Sequence, residues 1–309
     1  MAEEPKNCLA AGMPLSVAAI SSQLDTVVIG STLAVLQSVG STNLYIKQRS
    51  EILDDGFTVV SETQLSGRGR LGRTFLSPKG GLYMSTLLFD RRVACDPIGL
   101  TVRAAVAVAR AIRSLTGLAV GVKWVNDIYY EGKKLCGILA ERVVLKGKAD
   151  FTVLGIGINV SSPKGGFSGE VSEIAASLSD FTKVAFSKNE LCAEILNQLE
   201  KCLTDKDENA REELLNEYRS LSVIIGKEVD VLRGDTVRRA KVLGIDDDAA
   251  LYVQYVDGTT DILRTGEVST RLVRGEEDKD EENGNEENGN EENEENMQNK
   301  EEANDEHAV

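Results

Sequence analysis

Residues 58–117 read TVVSETQLSGRGRLGRTFLSPKGGLYMSTLLFDRRVACDPIGLTVRAAVAVARAIRSLTG. Two runs rich in Val, Leu and Thr, residues 58–61 and 82–89, have the length and composition of strands. Between them lies a loop dense in glycine and arginine. Residues 97–115 are Ala-rich, with Gly117 just past the end as a C-terminal stop, and predict a helix. Working outward, residues 120–124, 135–141 and 153–160 are further β-type runs bounded by Gly, Pro or Asp. Strands mixed with helices in this way predict an α/β (α+β) layer fold with a mixed sheet.

The second half continues in two textures. Leu191, Ile195, Leu196 and Leu199 recur at helical spacing over residues 189–203, and Ser187 with Glu190 stands as a capping box in front of them. A further helix is expected at residues 208–219. From Ser222 the chain changes: residues 228–232, 237–245, 251–255 and 260–263 are short strand-type runs separated by Arg-Gly-Asp, Asp-Asp-Asp and Asp-Gly turns, which predicts a small antiparallel barrel. We divide the chain into an N-terminal extension (1–35), an α/β domain (36–221), the small barrel (222–275) and an acidic tail (276–309). The tail repeats Glu-Glu-Asn-Gly-Asn and has too little apolar surface to order itself.

Charge is partitioned as sharply as texture. The chain carries 35 Lys+Arg and 50 Asp+Glu, net −15. Residues 276–309 hold 16 acidic and 2 basic side chains, which leaves −1 for the preceding body. A near-neutral body attached to an acidic tail argues against binding a polyanion by bulk attraction. The single histidine, His307, lies in the tail, so the body works without imidazole; Ser-His-Asp and Cys-His nucleophile systems and histidine-ligated zinc are excluded. Cys8, Cys95, Cys136, Cys192 and Cys202 form no CxxC pair and read as free thiols of a reducing compartment. With no basic, apolar leader and no apolar run of ~18 residues, a cytoplasmic protein without a membrane span is expected.

Three stretches carry polar chemistry. In Gly67-Arg68-Gly69-Arg70-Leu71-Gly72-Arg73, glycines permit close backbone approach and guanidinium groups offer bidentate donors to phosphate or carboxylate. Alone, the run equally describes a flexible basic loop or an RGG-like nucleic-acid contact. Lys123-Trp124-Val125-Asn126-Asp127 precedes Lys134; Trp124 alone would more often be core than a ligand platform, and Asn126-Asp127 a turn. Gly155-Ile156-Gly157-Ile158-Asn159-Val160 is a strand whose glycines leave room beside it.

In combination and in this order, Ser41-Thr42-Asn43, Gln64 with the GRGRLGR run, KWVND, KKLCGILAE (133–141), GIGINV and Gly266-Glu267-Val268-Ser269-Thr270-Arg271 resemble the biotin protein ligases, also called holocarboxylase synthetases. The resemblance covers residues from about 40 to 272. It implies a catalytic domain related to class II aminoacyl-tRNA synthetases followed by an SH3-like barrel. It also implies an enzyme that activates biotin with ATP and Mg²⁺ to biotinyl-5′-AMP. The biotin then passes to a lysine of a biotin carboxyl carrier domain, as in acetyl-CoA carboxylase. By the same resemblance Lys134, Arg68 and Arg70 are catalytic and contact biotin together with Ser41, Thr42 and Gln64. Trp124, Asn126, Asp127, Asn159 and Arg271 lie on the ATP side, and Asp127 is the metal ligand. For Ser41 and Thr42 the residues alone would read as a helix cap before Leu44.

Two departures from the family stand out. Val125 occupies the position of a usual proline, and the DNA-binding N-terminal domain of repressor-type members is absent, so no operator-binding role is implied. A lipoate or octanoate ligase would share the fold but lacks the GRGRxGR loop, and a non-enzymatic nucleic-acid binder fits poorly with the charge distribution. The oligomeric state is open, a homodimer being one form considered.

Overall fold

The computed structural model describes residues 13–89, 97–144, 150–204, 208–264 and 268–272. Its first half runs α1 (Val17–Ser21), β1 (Leu33–Leu36), α2 (Thr42–Lys47), β2 (Thr58–Ser61), β3 (Leu82–Phe89), α3 (Pro97–Thr116), β4 (Gly121–Lys123), β5 (Asp127–Tyr130), β6 (Lys133–Val143) and β7 (Phe151–Ile158). The second half adds α4 (Glu170–Ile174), α5 (Leu178–Phe181), α6 (Lys188–Thr204), α7 (Glu208–Ser220), β8 (Glu228–Arg233), β9 (Thr236–Ile245), β10 (Leu251–Tyr255), β11 (Thr260–Leu263) and β12 (Val268–Leu272).

Seven strands form one sheet in the order β1-β2-β3-β7-β6-β5-β4; β1 and β2 run parallel and the remaining neighbours antiparallel. The central strands β3 and β7 are buried on both faces, which is why they read as near-continuous apolar runs without alternation. One face carries Leu82, Met84, Leu154, Ile156 and Ile138 into the main core beneath α3. Ala104, Ala105, Ala107, Ala109 and Ala111 of α3 are fully buried, and these small side chains let the helix lie close to α6, α7 and β6. The opposite face is covered in part by α2, whose Ile46 packs with Phe57, Val59, Leu87 and Val153. The capping box expected before α6 is present: Glu190 Oε2 accepts from Ser187 N at 2.6 Å and Ser187 Oγ from Glu190 N at 3.1 Å.

The segment expected only as an extension contains both α1 and the start of β1. Polar side chains of α6 hold it. Asn189 bonds Ser16 N and Pro14 O, Asn197 bonds Asp25 N and Gln23 O, and Glu200 accepts from the backbone N–H groups of Val27, Val28 and Ile29. Backbone donors satisfied by distant side chains leave no periodic trace in the sequence.

β8 to β12 form a separate antiparallel sheet in the order β11-β10-β9-β8-β12, containing the four expected strands and a fifth. The link to it is itself paired with the first sheet: Val122 N donates to Leu221 O at 2.7 Å and Val223 N to Val122 O at 2.9 Å. The turn after β4 is clamped from two sides. Trp124 Nε1 donates to Ala249 O at 2.9 Å, between β9 and β10 of the C-terminal sheet, and Tyr218 Oη of α7 donates to Val125 O at 3.0 Å. The Trp124–Val125 peptide bond is cis. No helix among the described residues is long and apolar enough to cross a membrane.

Tyr218 is buried and spends its hydroxyl on that one carbonyl. Tyr218→Phe is expected to lower stability by about 1–3 kcal/mol, the cost of leaving a buried acceptor unpaired. Urea unfolding monitored by circular dichroism reads this directly; an unchanged midpoint would show that the clamp contributes nothing.

Candidate active site

The site lies on the α2 face of the large sheet. Registers place Tyr83 and Ser85 of β3 beside Gly157 and Gly155 of β7, and these beside Gly137 and Leu139 of β6. Glycines here are required by what lies on them. A Cβ at Gly155 would sit 2.2 Å from Asn43 Oδ1, and one at Gly157 would sit 2.6 Å from the Phe75 ring. The room read beside the GIGINV strand is therefore filled by an amide at one end and an aromatic ring at the other. Two residues along a strand span ~7 Å, so the ends are near neighbours.

The first end is polar and uncharged at its surface. Ser41 caps α2, its Oγ accepting from Leu44 N at 3.5 Å, so the local helix-cap reading holds in the free protein. Thr42 N and Oγ1 both donate to Gln64 Oε1, at 2.9 and 3.0 Å, and Gln64 Nε2 donates to Ser77 Oγ at 3.0 Å. Ser85 Oγ lies 2.7 Å from Thr42 Oγ1 and 2.5 Å from Asn43 Oδ1. Asn43 Nδ2 donates to Glu141 Oε2 at 2.7 Å, and Glu141 pairs with Lys47 at 2.6 Å.

The other end is charged. Lys134 Nζ stands 2.7 Å from Asp127 Oδ1, an ion pair that lies off the directions of a hydrogen bond. Its meeting with Asp127 depends on a register shift between Ile128 and Tyr129: Asp127 pairs with Gly137, yet Tyr129 pairs with Lys134. Regular alternation would send Lys134 and Gly137 to opposite faces. The extra residue of the bulge brings Lys134 to the glycine face, where its Nζ is 5.6 Å from the centre of the Phe75 ring. Arg70 Nη1 donates to Asn126 Oδ1 at 3.0 Å, and Asn126 Nδ2 donates to Ile138 O at 2.8 Å. Arg70 Nη2 is buried with no hydrogen-bond partner. Burial lowers the Arg70 pKa, and Arg73 acts in the same direction against the fields of Asp127 and Tyr218.

The structure thus brings together Ser41, Thr42 and Gln64 at one end and Arg70, Asn126, Asp127 and Lys134 at the other. Arg68 is exposed on the loop. Trp124 is buried in the core with its N–H committed to Ala249, in accord with the core alternative for a lone tryptophan. Asn159 donates its side-chain NH₂ to Ala176 O at 3.1 Å and Lys134 O at 3.4 Å, so it braces the backbone that carries Lys134. Arg271 belongs to β12, and its side chain lies outside the described residues. Sequence reasoning assigned no role to Phe75, Asn43, Ser85 or Glu141. Asn43 and Glu141 stand inside the quoted motifs, and Ser85 is a polar residue in an apolar strand. Those were the available signals.

Comparison with known proteins places this geometry. Residues 35–159 match the pattern of the Biotin/lipoate A/B protein ligase family. The bifunctional ligase/repressor BirA of Escherichia coli K12 is 31% identical over 83% of this chain and 78% of its own length. The chain belongs to the biotin protein ligase family. Another member, the biotin–[acetyl-CoA-carboxylase] ligase of Mycobacterium tuberculosis, is 33% identical over 76% of this chain and 88% of its own. The biotin protein ligase of Aquifex aeolicus, solved in complex with biotin and ATP, superposes with a TM-score of 0.69 at 28% identity. It covers 79% of this chain and 100% of that one.

Gly155→Ala should displace the Asn43 amide and destabilise the protein by about 1–3 kcal/mol, in the range of over-packing a tight site. In an Asn43→Ala background the same change should cost much less, because the atoms it strikes are gone. A double-mutant cycle in urea tests the contact; additive effects would refute it.

Proposed function

We propose that this chain is a biotin protein ligase, joining biotin to ATP as biotinyl-5′-AMP with loss of pyrophosphate and then passing the biotinyl group to a lysine of a biotin carboxyl carrier domain. The observation that carries the reading is the pair of polar clusters, one neutral and one charged, at the two ends of the glycine-lined face of β6 and β7. Hydroxyl and amide groups of Ser41, Thr42 and Gln64 suit a neutral cyclic urea. The Phe75 ring, which lies on Gly157 and Gly137 between the two clusters, suits contact with an apolar chain, and Lys134 with Arg70 suits a carboxylate meeting a phosphate.

The chemistry brings anions together. Two unit charges ~4 Å apart repel by ~4 kcal/mol at an effective dielectric of ~20, so cations must be supplied. The carboxylate oxygen attacks the α-phosphorus as its bond to pyrophosphate breaks. Lys134 shares its charge between the attacking carboxylate and the α-phosphate, leaving Asp127 to do so. Arg70 holds Asn126 through Nη1 and turns Nη2, partnerless in the free protein, toward phosphate oxygen. In the second step the carrier lysine amine attacks the acyl carbon and AMP leaves. No protein nucleophile takes part, in keeping with a body that lacks histidine.

We assign Mg²⁺ as the companion of ATP. Among the described residues no group of three or more His, Cys, Asp or Glu could hold a metal ion. The single carboxylate of Asp127 fits an ion that takes most of its ligands from phosphate and water. Bound there, it would neutralise phosphate charge. A cytoplasmic location belongs to the same reading.

Exchange of labelled pyrophosphate into ATP should depend on biotin and not on lipoate; exchange driven by lipoate alone would replace the reading with a lipoate ligase. Lys134→Ala should slow single-turnover adenylation far more than it weakens biotin binding, since the interaction is made mainly in the transition state. A wild-type adenylation rate would remove Lys134 from catalysis. Arg70→Gly should still form adenylate but release it roughly 10- to 150-fold faster, from charge-assisted bonds of ~1.5–3 kcal/mol. Streptavidin blots with serum albumin as bystander detect the escape; albumin labelled no more than by wild type would contradict this role.

A further inference from the structure

The uncharged end of the site is a chain of short contacts in which protons can be counted. Its far end is fixed. Glu141 pairs through Oε1 with Lys47 Nζ at 2.6 Å, and its Oε2 lies 2.7 Å from Asn43 Nδ2. A carboxylate only accepts, so Asn43 turns its NH₂ to Glu141 and its carbonyl oxygen to Ser85. Ser85 Oγ, fully buried and 2.5 Å from that oxygen, spends its one proton there. It is also 2.7 Å from Thr42 Oγ1, which is 3.0 Å from Gln64 Oε1. Gln64 Oε1 is fixed as an acceptor by the Thr42 backbone N–H at 2.9 Å, and the Gln64 NH₂ is turned to Ser77. Between two carbonyl oxygens that cannot donate there are thus three contacts and only two hydroxyl protons.

We propose that this missing proton sets ligand specificity: Lys47 and Glu141, through Asn43 and Ser85, are positioning residues that hold the Thr42 hydroxyl oxygen, beside Gln64, short of a donor, so that a ligand must bring an N–H. This rests on the biotin reading above and deepens it. The ring urea of biotin carries two N–H donors, whereas the dithiolane ring of lipoate carries none. A ring without N–H leaves one oxygen facing another in a buried setting, where an unfilled polar group is most unfavourable. Charge at Lys47 enters only through the direction it imposes on Glu141, and neither side chain touches the ligand.

The directional logic makes Glu141→Gln informative. Lys47 takes the new amide's oxygen, so its NH₂ faces Asn43, and Asn43 must reverse and present N–H to Ser85. The extra proton fills every contact in the chain, and the demand for a ligand donor disappears. The readout is the ratio of the inhibition constant of lipoate to the KM of biotin in biotin-dependent pyrophosphate exchange, with folding checked by the thermal midpoint. Glu141→Gln should lower that ratio by roughly tenfold or more. Glu141→Asp, still an acceptor, should retain it. Lys47→Met combined with Glu141→Gln should recover it toward wild type, because the freed amide can again offer its oxygen to Asn43. A ratio within twofold of wild type in a folded Glu141→Gln protein overturns the proposal. So does a double variant that loses more discrimination than Glu141→Gln alone, which is what a purely structural role would give. If the wild type shows no biotin-dependent exchange, the functional reading fails first and the proposal falls with it.

Discussion

The bare backbone of β7 is the constraint on which the site depends. Gly155 and Gly157 lie on the same face of the most enclosed strand, where any side chain would collide with the Asn43 amide or the Phe75 ring. Because the opposite face of that strand is locked into the core by Leu154, Ile156 and Ile158, the strand cannot shift to relieve such a collision. A rigid floor without side chains allows the polar residues of α2 and the aromatic of the Arg/Gly loop to approach the sheet itself. Their spacing is then set by the strand's own rise, and loop positions have little freedom to change it.

The same rigidity reaches the charged end through the second sheet. Asn126 and Asp127 follow a turn whose two preceding carbonyl and indole groups are bonded outward, Val125 O to Tyr218 and Trp124 Nε1 to Ala249. The C-terminal sheet is thus tied to the residues that meet Arg70 and Lys134, and Arg219 adds a bond to Ile245 O at 2.8 Å. The pairing of Val122 with Leu221 and Val223 covers the β4 edge, so the linker completes the sheet on the side where the turn begins.

Electrostatically the two ends of the site differ in kind. At one end, charge is kept a step back: Lys47 and Glu141 neutralise each other and act on the pocket through amide and hydroxyl dipoles. At the other, Lys134 and Arg70 lie beside the Asp127 carboxylate, and burial makes the Arg70 cation more demanding of an anionic partner. A molecule with a neutral polar head and an anionic tail therefore has one orientation in which both ends are satisfied.

Much of this was legible before folding. The strands at 58–61 and 82–89, the helix from Pro97, the capping box at Ser187 and Glu190, and the short C-terminal strands follow from composition, periodicity and turn residues. These signals are local: they report which side chains leave water and at what spacing. The ordered motifs likewise pointed to the family and to most of the residues that meet at the site. What sequence could not supply were properties owed to distant partners. β1 lies half-buried at a sheet edge, and β5 is four residues long and begins with Asp127. The N-terminal segment is held by side chains about 170 residues away. Strand parity alone sends Lys134 away from Gly137, and a bulge visible only in the pairing with β5 turns it back. Sequence chose the polar groups; which of them donate and which accept was decided by Glu141 of β6 meeting Lys47 and Asn43 of α2 across the fold, because a hydrogen bond takes its direction from a partner that only tertiary structure brings near.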